Sequence, residues 1–325
     1  MNPAIEQKLL RQLNGQDWHR ENVVQSLWSG YGEIVRYSVK GREPFTVVVK
    51  AVEAGAMSES AHPRGWGTEL GHQRKLRSYQ IEKHFYQAFS DGLPIEARIP
   101  TLLATATDTG GFYLVLEDLD AAGFGRRLEA VSESELLACL RWLAAFHAHY
   151  LGVEPQGLWP VGTYWHLETR PDEWQAMQEG PLKEAASAID RRLNQARHQT
   201  LVHGDAKLAN FCFADERPVS AAVDFQYVGG GTGIKDVAYF FSSCLSEKKC
   251  HEQGEELLAY YFESLREGLS RVGKAELHDS VEAEWRALYP LAWADFYRFL
   301  AGWLPDHWKI NGYGQRLVEQ GLACL

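Results

Sequence analysis

The stretch Leu201-Val202-His203-Gly204-Asp205-Ala206-Lys207-Leu208-Ala209-Asn210-Phe211-Cys212-Phe213, followed by Ala221-Ala222-Val223-Asp224, decides how this chain is read. A short apolar run leads to an acid, an amide comes five residues later, and a second apolar run delivers another acid. Asp215, Glu216 and Pro218 carry turn chemistry, so Phe211-Cys212-Phe213 and Val219 to Val223 read as a hairpin. A hairpin converts sequence separation into spatial convergence, and both acids then open onto the same end of a small sheet. That is the set metal-assisted phosphoryl transfer requires: Asp205 to receive a hydroxyl proton, and the Asn210 oxygen with Asp224 to hold magnesium on nucleotide phosphates. Magnesium takes oxygen ligands in an octahedron and uses only one or two carboxylates, so this pair is sufficient. A lone His-Gly-Asp is often only a turn; the spacing of the whole set carries the reading.

His203-Gly204-Asp205 with Asn210, then Val223-Asp224-Phe225-Gln226, then Gly233-Ile234-Lys235-Asp236-Val237-Ala238, resembles the aminoglycoside phosphotransferase and choline kinase superfamily. It looks most like the ecdysteroid-kinase-like branch, in which the second acid is followed by Phe-Gln. The resemblance implies a protein-kinase-like fold and phosphorylation of small-molecule hydroxyls by ATP with magnesium. It implies that Asp205 is the catalytic base and that Asn210 and Asp224 are metal ligands. It further implies that Asp236 is a buried buttress for the catalytic loop, with His203 as supporting structure. Taken alone, Asp236 is also simply an acid at a helix N-terminus, stabilised by the dipole.

Upstream, Phe45-Thr46-Val47-Val48-Val49-Lys50 is a run of strand formers ending in a lysine, where a protein kinase places its phosphate-binding lysine. Leu76 to Phe89 has helical character, with Tyr79, Glu82, Tyr86 and Phe89 on one face. An acid on an aromatic face wants a cation, and Lys50 is the candidate partner of Glu82. Val23 to Trp28 and Ile34 to Val39 read as strands around Ser29-Gly30-Tyr31-Gly32-Glu33, where Gly30 and Gly32 would let backbone N–H groups approach phosphates. As a hairpin turn that segment needs no function. Phe112 to Leu119 is a further strand; in the resembled family such a segment is the hinge, and the backbone at Glu117 and Leu119 would bind adenine. Without the family it is an edge strand entering a loop.

The chain has 325 residues, enough for two lobes with cores of their own, and a formal charge of −10 that argues against a nucleic-acid partner. No apolar run spans a bilayer, and the first residues lack a signal-peptide pattern. Five cysteines, an odd number without CxxC spacing, suit free thiols in a cytoplasmic protein. The first part, to about Asp120, is strand-rich with one helix, and the remainder is mainly helical. This predicts an α+β protein of two domains, 1–120 and 121–325, a small antiparallel-sheet lobe and a larger helical one. The stretch Glu53 to Gly67 is a long connection, read as mobile or substrate-facing. Ser132 with Glu135 forms a capping box, and Leu136, Leu140, Leu143, His147 and Tyr150 make a core stripe that leaves His147 structural; His149 is read the same way.

Near the C-terminus, Trp285, Tyr289, Trp293, Phe296 and Leu300 follow helical spacing, with Asp295, Tyr297, Arg298, Trp303 and then Asp306-His307-Trp308-Lys309 beyond. Such stripes usually form core. Their abundance also suits an acceptor site, and choline-kinase-like proteins use rings and acids in this lobe to hold a cationic amine. The expectation is therefore an ATP- and magnesium-dependent phosphotransferase acting on an aromatic, steroid-like or choline-like alcohol. The alternatives are a protein-phosphorylating member, disfavoured by the short Gly229–Gly233 segment after Asp224, and a catalytically silent nucleotide-binding or regulatory protein on the same scaffold.

Overall fold

The computed structural model describes residues 2–27, 30–53 and 69–325. It divides into two compact units, Met1–Asp91 with Ile99–Arg126, and Gly92–Arg98 with Arg127–Leu325. The connection from 54 to 67, expected to be mobile or substrate-facing, lies outside the described residues, as do Trp28 and Ser29 of the glycine turn.

The first unit is built on five antiparallel strands: β1 (Asp17–Ser26), β2 (Gly32–Lys40), β3 (Phe45–Glu53), β4 (Leu102–Asp108) and β5 (Gly111–Glu117), in the order β1-β2-β3-β5-β4. The strand from Phe112 is thus interior, not an edge. Alternation on β3 sorts its side chains. Val47 and Val49 join Leu9, Trp18, Val39, Ala104 and Val115 in one core cluster. Lys50 points the other way and meets the helix α2 (Glu69–Ala88), which buries Tyr79, Glu82, Phe85 and Tyr86. A second helix, α1 (Pro3–Gln12), corrects the expectation of only one. Its signals were local and short: Asn2 Oδ1 caps the Ala4 N–H at 2.9 Å, and Pro3 occupies the first turn. Burial of Leu9 in the sheet core, a tertiary contact, completes its amphipathic pattern.

The second unit carries α3 (Glu133–His149), α4 (Pro171–Ala176), α5 (Pro181–Asn194), β6 (Thr200–Val202), β7 (Phe211–Phe213), β8 (Ser220–Ala222), β9 (Gly229–Gly231), α6 (Ile234–Cys244), α7 (Glu247–Arg271), α8 (His278–Trp303) and α9 (Gly312–Ala323). Glu135 closes the α3 capping box by accepting the Ser132 N–H at 2.9 Å. The architecture is α+β and of the bilobal protein-kinase-like class, with an antiparallel-sheet unit and a mainly helical unit. Among the described residues no helix is long and apolar enough to cross a membrane.

Two details of the second unit position the site. β7 and β8 pair in the register Phe211 to Ala222 and Phe213 to Ser220, and the Val223 N–H continues the ladder to the Asn210 carbonyl at 3.0 Å. Asn210 and Asp224 therefore emerge at one end of the hairpin. β6 pairs with β9, a strand made of three glycines. Side chains are excluded there because a Cβ on Gly229 would lie 2.2 Å from the Trp159 carbonyl oxygen, and one on Gly230 would lie 2.6 Å from that of Pro160. A segment with no strand propensity is thus recruited by two flanking backbones.

Candidate active site

The loop leaving β6 is clamped from below. Asp236, in the first turn of α6 and fully buried, accepts the His203 N–H at 2.6 Å on Oδ2 and the Gly204 N–H at 3.0 Å on Oδ1. Its Oδ2 also takes His147 Nε2 at 3.2 Å. That fixes the His147 tautomer: Nε2 carries the proton and Nδ1 accepts from the Tyr261 hydroxyl at 2.9 Å. His147 is wholly buried, and its bond to Asp236 is its link to the catalytic loop. Gly204 has φ of +79°, and a Cβ there would lie 2.1 Å from the Tyr227 carbonyl oxygen, so the turn admits only glycine. His203 is wholly buried, its Nδ1 accepting the Asp205 N–H at 3.3 Å and its Nε2 donating to the Val223 carbonyl at 3.1 Å. One imidazole thus ties the loop that carries Asp205 to the residue before Asp224, and it packs on Phe225 at 4.7 Å between centroids.

Asp205 is buried, and both carboxylate oxygens are engaged. Oδ1 accepts from the Tyr239 hydroxyl at 3.0 Å; Oδ2 accepts from Lys207 Nζ at 2.9 Å and Asn210 Nδ2 at 3.2 Å. Burial, then the Asp205 charge, drive the Tyr239 hydroxyl well above its ordinary pKa, so it stays a donor. For Lys207 burial opposes the charged form, but Asp205 outweighs it and raises the ammonium above its usual value. Asn210 spends its amide N–H on Asp205, donating also to the Asp205 carbonyl at 2.8 Å, which turns its oxygen away from that acid. Asp224 adopts φ of +71°, an uncommon backbone for a residue other than glycine, and its Oδ1 accepts from Gln226 Nε2 at 2.5 Å. The Asn210 oxygen and the Asp224 carboxylate are hard donors suited to magnesium, which needs few protein ligands when phosphates and water supply the rest. Among the described residues no group of three or more His, Cys, Asp or Glu makes a richer metal site.

The remaining candidates belong to the first unit. Lys50 Nζ and Glu82 Oε2 are 2.5 Å apart, both side chains almost fully buried. Gly32 has φ of +129°, and a Cβ would lie 2.0 Å from the Ala51 carbonyl oxygen, so the β2–β3 approach by itself demands that glycine. Gly30 has φ of +76° in the turn and open space where a side chain would be. At the end of β5 the Glu117 N–H donates to the Thr101 carbonyl at 2.9 Å, and the Leu119 carbonyl accepts from Phe124 at 2.8 Å. Asp118 between them is held below its ordinary pKa: burial opposes this, and Arg36 at 2.8 Å prevails.

The aromatic stripe of α8 is core for most of its length, the usual outcome for such a stripe, and its abundance does not make it an open acceptor surface. Trp285, Tyr289 and Trp293 are buried, and Asp295 is buried against Arg298 at 2.9 Å and Lys235 at 3.4 Å. Burial alone would raise the Asp295 carboxyl; the two cations hold it below its ordinary value. The Phe296 turn comes up to the site, with its ring 5.0 Å from that of Tyr239. Sequence reasoning passed over Tyr239 and Lys207, although each carries a signal: Lys207 stands two residues from Asp205, and Tyr239 one helical turn beyond Asp236.

The profile of a family described as "Phosphotransferase enzyme family" matches residues 69–274. No curated protein matches the chain in sequence. Solved structures similar to it include a microcompartment-associated aminopropanol kinase, 15% identical with TM-score 0.48 over 100% of both chains. A choline kinase of Streptococcus pneumoniae is 15% identical with TM-score 0.45, covering 99% of each chain. An amicoumacin kinase in complex with AMP-PNP, Ca2+ and Ami is 13% identical with TM-score 0.49, covering 99% of this chain and 95% of the other.

Proposed function

The chain belongs to the phosphotransferase enzyme family, and from that premise we propose that it transfers the terminal phosphoryl group of ATP, with magnesium, to a hydroxyl of a small molecule. One observation carries the reading. A buried carboxylate, Asp205, is held on both oxygens by Tyr239, Lys207 and Asn210, and Asn210 stands across the hairpin from Asp224. Those donors fix the direction of the acid, and the Asn210 oxygen and the Asp224 carboxylate at one end of the same hairpin are hard ligands suited to a metal-bound nucleotide.

In this reading Asp205 orients the acceptor hydroxyl. The hydroxyl oxygen forms a bond to the terminal phosphorus, the bond from that phosphorus to the bridging oxygen breaks, ADP departs, and the hydroxyl proton passes to Asp205. A positioned base contributes on the order of 10²–10⁴-fold. Asn210 and Asp224 would hold magnesium, which would neutralise phosphate charge. Lys207 adds positive charge beside the transferred group. Lys50, fixed by Glu82, is a phosphate-binding cation, and the Glu117 carbonyl with the Leu119 N–H would meet adenine. Asp236 and His203 act as supports: they hold the backbone that aims Asp205. Phe225-Gln226, which pack on His203 and donate to Asp224, support placement in the ecdysteroid-kinase-like branch.

The test is magnesium-dependent thermal stabilisation by ATP in the wild type and in Asp224→Ala, followed by ADP release on adding alcohols, with Asp205→Asn as the inactive control. Binding to the folded state raises the melting temperature with ligand concentration. Absence of any shift at millimolar ATP with magnesium, or a shift untouched by Asp224→Ala, would leave the silent-scaffold alternative standing.

A further inference from the structure

Lys309, in the segment between α8 and α9, stands apart from every other lysine near the site. Lys207 is paired with Asp205 and Lys235 with Asp295. Among the described residues no carboxylate lies within ion-pair distance of Lys309 Nζ. Its surroundings are rings instead: Nζ lies 4.9 Å from the centroid of Tyr239, 5.4 Å from Phe296 and 5.7 Å from Trp308.

The position is built. The Tyr297 hydroxyl donates to the Lys309 carbonyl at 2.8 Å, and the Lys309 N–H donates to His307 Nδ1 at 3.1 Å. It is also close to the chemistry, because the Tyr239 ring that carries the ammonium on its face donates its hydroxyl to Asp205. Trp308 is 62% exposed, so solvent reaches this side of the ring cluster. Ring faces that would attract a cationic amine are here already occupied by the protein's own ammonium, and a second cation beside it would be repelled. Removing an ammonium partly from water without a counter-ion is unfavourable unless an anion completes it. Burial pushes Lys309 down to about 8, against the pull of Asp205, as befits a cation lacking an ion-pair partner.

We infer that the phosphoryl acceptor is a hydroxy compound bearing an anionic group, a carboxylate or a phosphate ester, that binds the Lys309 ammonium while its hydroxyl lies at Asp205. The inference rests on the phosphotransferase reading above and narrows its acceptor; it sets aside the choline-like alcohol. The anionic group is unchanged in the reaction and serves only to hold the acceptor.

The experiment measures ADP release with ATP and magnesium from four probes on similar short frames: glycerate, glycerol 3-phosphate, glycerol and choline. Wild type should favour at least one of the two anions over glycerol and choline, and the better anion tells carboxylate from phosphate. Lys309→Met should raise KM for that anion by roughly 10–100-fold, the scale of one charge-assisted hydrogen bond, with the loss falling on KM and not on kcat. Lys309→Glu should shift preference toward choline. ATP-induced thermal stabilisation of both variants verifies that they fold. Equal use of all four probes, better use of glycerol or choline, an unchanged ranking in Lys309→Met, or no response to any probe while ATP consumption stays dependent on Asp224 overturns the inference. Failure of the phosphotransferase reading is distinct: it appears as absence of nucleotide stabilisation or of Asp224 dependence in the wild type.

Discussion

Replacing Asp236 by alanine isolates the clamp beneath the candidate catalytic loop. The carboxylate accepts from three donors, the His203 and Gly204 N–H groups and His147 Nε2, and is itself fully buried. Each buried donor left without an acceptor costs ~1–3 kcal/mol. Three would sum to about 3–9 kcal/mol, and the relief of no longer burying a carboxylate brings the expected net to the lower part of that range, ~3–5 kcal/mol. For a unit of this size that is a fall of roughly 6–20 °C in melting temperature. Differential scanning calorimetry measures it directly. Asp236→Asn should cost less, because one oxygen remains, yet it sets an N–H donor against a donor and should still depress kcat by displacing Asp205. Melting of Asp236→Ala within about 2 °C of the wild type, under 1 kcal/mol by the same conversion, would refute the reasoning: the loop would then be held by something other than these bonds.

Four further outcomes follow from the same geometry. Asp205→Asn should lower kcat by on the order of 10²–10⁴-fold while ATP stabilisation persists, separating chemistry from nucleotide binding in a coupled ADP assay. Lys50→Met removes the lysine from its buried pair with Glu82 and should destabilise by up to ~3–5 kcal/mol, whereas Lys50→Met with Glu82→Leu should recover part of that stability without restoring ATP affinity, as read by denaturant melts and calorimetric titration. Gly204→Ala places a Cβ 2.1 Å from a carbonyl oxygen in a left-handed turn and should destabilise by more than ~1 kcal/mol with loss of activity; a fully active variant would show that the turn relaxes. Lys309 faces Asp205, which favours its charge, Lys207, which opposes it, and the Cys244 thiol, which burial keeps neutral, over the Tyr239 and Phe296 rings. Deprotonation removes the positive charge, so kcat/KM for an anionic acceptor should fall as pH rises through about 8, with no such limb in Lys309→Met.

The strands around Lys50 were legible because alternation and β-branched residues mark them wherever they fold. The Glu82 pairing was legible for a different reason: an acid on an aromatic helix face has few ways to be buried. Helix α1 escaped because ten residues at a terminus give a weak periodic signal until Leu9 meets the sheet. The β9 strand escaped because Gly229 and Gly230 are dictated by the backbone of residues 159–162, which nothing in the local sequence announces. The α8 stripe was readable as a face whose usual fate is the core, but not which of its residues would also border the Asp205 site, since periodicity does not say what lies opposite.

By itself, the order of residues determined the hairpin that joins Asn210 to Asp224, the glycine before Asp205 and the helix that begins with Asp236. All of these are short-range consequences of turn chemistry, strand alternation and spacing. Only the tertiary structure decided that Tyr239 reaches the Asp205 carboxylate, that His203 spans from that loop to Val223, and that Lys309, more than a hundred residues from Asp205, lays its ammonium on the Tyr239 ring. The physical reason is that a charge takes its meaning from its neighbours. A lysine's backbone neighbours do not reveal whether a carboxylate, a ring or an incoming anion will complete it.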